Sequence, residues 1–196
     1  MGRTRAMLPM LLCQSVFLAG LIAATPAVAP ADPGSQDEAL VDLVDAAARR
    51  LQTADPIAAT KWLSTAPITD PARAAQVLTA VAEDAESEGV PAAYARTVFG
   101  DQIDASEAIQ YSRFSWWKLD PGAAPTSAPD LQSSRAQIDE LNQRIVDEIA
   151  EQWPVLQSPE CASRLDTAKS AVAASRQLDP LYRQALDAAT RSYCAR

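Results

Sequence analysis

The chain has 196 residues, with 17 Lys and Arg against 25 Asp and Glu, no histidine, and a formal net charge of −8. That balance excludes a nucleic-acid or anionic-membrane binder built on a broad basic surface, and the missing imidazole excludes His-based acid–base catalysis, catalytic triads and His metal sites. Any anionic ligand must be held by a few focused Lys or Arg side chains working against the protein's own field.

Arg3 and Arg5 precede a largely apolar run from Leu8 to Ala24, and small residues lead to an A-x-A match at Ala29-Pro30-Ala31. This is the pattern of a cleaved signal peptide, residues 1–31, and of export to the periplasm or the medium. Ala27-Val28-Ala29 also matches, but cleavage there would leave Pro30 at the new terminus. The apolar run is short and interrupted by Gln14 and Ser15, which argues against a retained membrane anchor. Cys13 follows Leu12 rather than a small residue, which argues against lipoprotein processing. Residues 32–196 then form one domain, large enough to bury a real core. Losing Arg3 and Arg5, with no acid before Asp32, takes the charge from −8 to −10. The two remaining cysteines, Cys161 and Cys194, read as a disulfide of an exported domain, and a lone pair of cysteines cannot make a zinc site.

Every segment of the mature chain reads as helical, because Ala is abundant, Gly is rare and nothing alternates with a strand period. An N-cap residue followed by Pro at the first helical position occurs at Asp55-Pro56, Asp70-Pro71, Ser158-Pro159 and Asp179-Pro180. The first helix, from about Glu38 to Thr53, carries the stripe Leu40, Leu43, Val44, Ala47 and Leu51. It turns Arg49 to water and sets Arg50 on the edge of the stripe, able to reach into a cleft. A short helix from Pro56 carries Lys61 and Trp62. Asp70-Pro71 opens a helix with Ala74, Val77, Leu78, Val81 and Ala85 inward and Gly89 as its stop. Arg73 lies in its first turn, a poor place for a cation on dipole grounds, so a carboxylate such as Asp70, or a bound anion, is expected beside it.

Pro91 begins a long helix that runs to near Lys118. On a helical wheel its apolar seam of Phe99, Ile103, Phe114 and Trp117 also holds Ser106 and Gln110, both within about 20° of Phe99. Polar groups on a core-facing seam cost roughly 1–3 kcal/mol each when unpaired, so either a neighbouring helix or a ligand must satisfy them. After a Pro-, Ala- and Ser-rich linker from Asp120 to Asp130, Asp130 caps a second long helix with the stripe Leu131, Ile138, Leu141, Ile145 and Ile149. Arg135 flanks that stripe, either as a snorkelling edge residue or as the partner of Asp139 at i+4. Helices from Pro159 and Pro180 close the chain, with Cys161 and Cys194 placed to bridge an antiparallel hairpin. The fold class is all-α: a single-domain helical bundle with two long helices and a disulfide-linked C-terminal hairpin.

Arg50, Lys61, Arg73 and Arg135 sit on four different helices, and the long helix adds Ser106 and Gln110. If they converge, the site is small, basic and poor in water, with neutral hydrogen-bond donors and no nucleophile, metal cluster or phosphate loop. Such a pocket suits a small dicarboxylate and chemistry by positioning and electrostatic stabilisation.

The stretches LVDAAARRLQTADPIAATKW, PITDPAR, VFGDQIDASEAIQYSRFSWWKLDP and SSRAQID resemble the all-helical (AroQ-type) chorismate mutases, and specifically their secreted (gamma) subclass. The signal peptide and the C-terminal cysteine pair fit that subclass too. The resemblance implies a Claisen rearrangement of chorismate to prephenate without cofactor or covalent intermediate, in the Phe and Tyr branch of the shikimate pathway. Arg50 and Arg135 match the pair that clamps the substrate carboxylates, a task suited to Arg's planar fork. Lys61 matches the lysine that contacts a carboxylate and the ether oxygen, and Gln110 the second donor to that oxygen. Ser106 matches a hydroxyl near a carboxylate, and Asp70 and Arg73 match the turn around the ring hydroxyl and a carboxylate. The resemblance also implies a homodimer whose protomers each hold a complete site, Arg135 standing for an arginine that a partner subunit supplies in intracellular relatives.

Two positions depart from the pattern. Gln110 stands where secreted relatives often have Glu; an amide donates at any pH, so activity should vary little between about pH 5 and 8. Ala74 and Val77 stand where relatives place Glu or Gln against the ring hydroxyl, and Gln76, the nearby amide, points at a different helical angle. A catalytically silent exported module that binds an anionic metabolite or a protein partner is the alternative reading, and a plain structural bundle with solvated flank cations is a third.

Overall fold

The computed structural model describes residues 39–194. The signal-peptide reading of residues 1–31 lies outside them, as do residues 32–38 and the last two of the chain. Among the described residues the regular structure is helical throughout. The helices are α1 (Val41–Gln52), α2 (Ala54–Ser64), α3 (Pro71–Ser87), α4 (Ala92–Leu119), α5 (Leu131–Glu151), α6 (Trp153–Leu156), α7 (Cys161–Ser175) and α8 (Pro180–Ala189), with a 3₁₀ turn at Pro121–Ala123. The two long helices of the sequence reading are α4, of 28 residues, and α5, of 21.

The first helix is the hub. Leu43, Val44, Ala46, Ala47, Ala48 and Leu51 are buried, and α1 packs against α5, α7, α8 and α4. Small alanines between the leucines let several helices approach the same rod. The long helix α4 packs along α3, α8 and α2. Its core contributions are Ala95, Val98, Phe99, Ala105 and Ile109. Trp62 stands edge-on to Phe114 (5.2 Å between ring centroids) and to Trp117 (5.5 Å), so aromatic contacts seat α2 on the C-terminal half of α4.

Three expected caps form: Asp70 accepts from Arg73 N (3.1 Å), Asp130 from Ser133 N (2.9 Å) and Asp179 from Tyr182 N (2.8 Å). Gly89 adopts φ +79° and ends α3, with Val90 N donating to Ala85 O and Gly89 N to Glu86 O, a Schellman closure. Two expected starts are displaced. Thr53 stays in a helical conformation, so α2 begins at Ala54 and Asp55 falls inside its first turn with no capping role. Its carboxylate instead takes Arg113 of α4 in a two-point pair at 2.7 and 3.1 Å. Likewise Ser158-Pro159 lies in a turn, and α7 starts at Cys161 with no side-chain cap. Cys161 and Cys194 form the expected disulfide across the α7–α8 hairpin. Arg176, at the end of α7, makes a bidentate pair with Asp45 of α1 and so anchors the hairpin to the hub.

Candidate active site

A cavity of about 110 Å³ lies among α1, α2, α3, α4 and α5. Arg50, Lys61, Asp70, Arg73, Ser106, Gln110 and Arg135 all line it. The apolar wall comes from Ile57, Ile68, Ala74, Val77, Ile103, Leu131 and Ile138. Apart from Asp70, which precedes α3 as its N-cap, each of these polar residues reaches the cavity from a helix, so the packing that builds the core also gathers the charges.

Arg50, in the last turn of α1, is deeper than an edge position suggests: 5 % of it is exposed. Its Nε donates to Asn142 Oδ1 of α5 at 2.7 Å and its Nη1 to the Gln102 carbonyl of α4 at 3.2 Å. Burial lowers its pKa to about 10, with the Tyr193 and Asp139 fields acting upward and Arg73 downward, so it remains a cation at neutral pH. Lys61, half-buried near the end of α2, donates its ammonium to the Ile68 carbonyl. Thr65 closes α2 in the left-handed region, φ 55°, and turns the chain so that Ile68 and Asp70 come back over Lys61.

The ion pairs cross between helices rather than along them. Arg73 Nη2 meets Asp139 Oδ1 of α5 at 2.5 Å, and Arg135 Nη2 leans toward Asp70 Oδ2 at 3.8 Å. The expected carboxylate beside Arg73's side chain is therefore Asp139, while Asp70 caps the Arg73 backbone. The i+4 pairing of Arg135 with Asp139 does not form, because Arg73 already holds that acid. Arg49 is exposed, as expected.

On the α4 seam no neighbouring helix satisfies Gln110. Its Nε2 turns back to the Ser106 carbonyl at 3.3 Å, and its buried Oε1 has no partner among the described residues. An amide has two donors and a two-lone-pair acceptor, so most of this group's bonding capacity is unspent at the cavity wall.

Two polar groups escaped the sequence reading. Glu107 lines the cavity and accepts from Thr69 Oγ1 at 2.8 Å. Asn142, which holds Arg50, lies on the α5 wheel at about 20° from Leu131, inside the apolar stripe. Like Ser106 and Gln110 on α4, Asn142 is a polar residue on a core-facing stripe, and that position is its signal in the sequence. Among the lining residues four cations face two carboxylates, Asp70 and Glu107, and Asp139 behind Arg73 brings the local balance to +1.

The chorismate mutase type II family matches residues 37–111. A secreted chorismate mutase of Mycolicibacterium smegmatis is 54% identical over 180 residues, covering 92% of this chain and 98% of that protein. One of Mycobacterium tuberculosis is 51% identical over 169 residues, 86% of this chain and 83% of that protein. The crystal structure of a chorismate mutase from Burkholderia phymatum superposes with a TM-score of 0.79 at 34% identity, covering 83% of this chain and all of that one. With relatives this similar along nearly their whole length, and with a fold to match, the chain belongs to the chorismate mutase type II family.

Proposed function

We propose that the chain is a secreted chorismate mutase that rearranges chorismate to prephenate in the cavity just described. The observation that carries the reading is the convergence of Arg50, Lys61, Arg73 and Arg135 on one cavity, an excess of cations over carboxylates even with Asp139 paired to Arg73, which suits a dicarboxylate. Relatives bearing the enzyme's name at over half identity disfavour a silent binding module.

The reaction is a concerted electron reorganisation. The ether C–O bond breaks as a C–C bond forms, no proton needs to be transferred, and negative charge grows on the ether oxygen. Arg50 and Arg135 clamp the two carboxylates and hold the chain in the folded geometry that brings the bonding carbons together. Lys61 exchanges the Ile68 carbonyl for a carboxylate and the ether oxygen. Gln110 supplies a second N–H to that oxygen, so that the preorganised donors bind the transition state more tightly than the ground state. Ser106 contacts a carboxylate, and Asp70 and Arg73 define the turn at the ring. Ala74 and Val77 leave the ring hydroxyl without the side-chain partner the family pattern expects there.

Residues 1–31 act as the signal peptide and are removed, leaving Asp32 first; mass spectrometry of the exported protein checks that terminus. The mature protein is a homodimer. Large apolar side chains exposed on α2 and α4, namely Leu63, Trp116 and Leu119, support a second copy covering them, and a monomer in sedimentation would sink this.

The function is tested by adding the oxidised mature protein to chorismate and following its ultraviolet absorbance. Turnover is expected, with Arg50→Ala, Lys61→Ala and Arg135→Ala each lowering kcat/KM by about 10²-fold or more. Absence of turnover in a folded sample, or losses below about tenfold in all three variants, would place the function or the site elsewhere.

A further inference from the structure

Arg50 differs from the other cavity cations in how its charge is held. Arg73 and Arg135 face carboxylates, and Lys61 lies in the field of two. Among the described residues, no ion pair involves Arg50, although it is the most deeply buried of the four. A buried guanidinium ordinarily takes a carboxylate, because desolvating a cation is costly. Here both partners are neutral: the Asn142 amide oxygen at Nε and the Gln102 main-chain carbonyl at Nη1.

Two acceptors on two different nitrogens fix the plane of the guanidinium, which also lies over the Phe99 ring at 5.9 Å. Asn142 is 5 % exposed in α5, and the Gln102 carbonyl belongs to the backbone of α4. These two bonds use two of the five guanidinium N–H groups, and Arg50 lines the cavity. A carboxylate in place of Asn142 would give equal or better geometry but would cancel the charge that a ligand is meant to meet.

We infer that Asn142 is a positioning residue that aims the Arg50 guanidinium at a substrate carboxylate while leaving its charge undischarged. This rests on Arg50 being a carboxylate clamp, as proposed above.

The test is Asn142→Asp, which keeps an oxygen for Nε and adds one negative charge. A merely structural amide would tolerate it: the protein would melt at or above the wild-type temperature with unchanged kinetics. A charge-sparing role predicts a normal melting temperature, KM raised about thirtyfold and kcat changed by less than about threefold, because the new carboxylate competes with the substrate's. Asn142→Ser, which shortens the acceptor without adding charge, separates shape from charge. It should keep KM near wild type and lower kcat about fivefold as the guanidinium loses its alignment. In the Arg50→Ala background, Asn142→Asp should cost less than about twofold further.

An Asn142→Asp protein with wild-type KM overturns the inference, as does a Ser variant with the same KM rise. If Asn142→Asp melts well below wild type, the Ser variant and the double variant decide instead. Arg50→Ala remaining within about tenfold of wild type is a different failure: it removes the clamp assignment itself, and the inference with it.

Discussion

Burial pulls the Lys61 ammonium below its usual range, Glu107 and then Asp70 act to raise it, and Arg135 lowers it again. A neutral amine cannot stabilise charge growing on the ether oxygen, so activity falls as pH rises through this depressed pKa, below the ordinary 10.5. Glu107→Gln keeps an acceptor for Thr69 but deletes the larger upward field, so the alkaline limb of the kcat/KM profile should move to lower pH. A limb that stays in place would mean that Lys61 is not the group being read. On the acid side Gln110 does not titrate, and the profile should stay level between about pH 5 and 8; a steep acid limb traced to the site would contradict that. The residues that carry this argument were partly legible in sequence. Arg50, Lys61, Asp70, Arg73, Ser106, Gln110 and Arg135 stand out as ordered cations and seam-lying polar groups. Their partners do not, because Arg73 choosing Asp139 over Asp70 depends on how α3 and α5 approach, which no spacing along one helix records.

At the scale of elements, the helix ends show where local chemistry decides and where it is overridden. Asp70, Asp130 and Asp179 cap as their sequences indicate, because each carboxylate has a free backbone N–H three residues on; Asp70 keeps one oxygen there while the other faces Arg135. Asp55 has the same Asp-Pro signature, but Arg113 of α4 offers a charged partner and Thr53 continues the helical backbone, so the start shifts and the cap is lost. Helix existence and facing were therefore readable, while the exact starts were set by tertiary partners. Two closures use residues poorly suited to them: Thr65 and Gln177 both have positive φ, at 55° and 52°. Gln177 sits in the α7–α8 turn, away from the cavity, with Leu178 N bonded to Ala173 O. Gln177→Gly should relieve the left-handed strain and stabilise the fold by about 0.5–1 kcal/mol, read as a higher denaturation midpoint with unchanged turnover. An unaltered or lower midpoint would show that the turn carries no such strain.

For the whole molecule, the hairpin closed by Cys161 and Cys194 is fastened to the hub by Arg176 and Asp45 and to the long helix by the Tyr94 hydroxyl bonding the Tyr193 carbonyl. The disulfide spans a sequence separation of 33. A loop of that order restricts the unfolded chain by roughly 3–4 kcal/mol. Cys161→Ser/Cys194→Ser should lose about that much in equilibrium denaturation, and a loss under about 1 kcal/mol would assign the hairpin's stability to its packing alone.

The cavity has one further consequence. On the function proposed above, all seven residues assigned to the substrate line one cavity of one protomer, so catalysis would not await the meeting of two molecules. An enzyme whose site is shared between subunits loses specific activity on dilution as its assembly dissociates. A secreted protein disperses into a large volume, where its concentration falls far below that inside a cell. Turnover per molecule should therefore hold constant down to the lowest concentration that can be assayed, whatever the protein's state of association there.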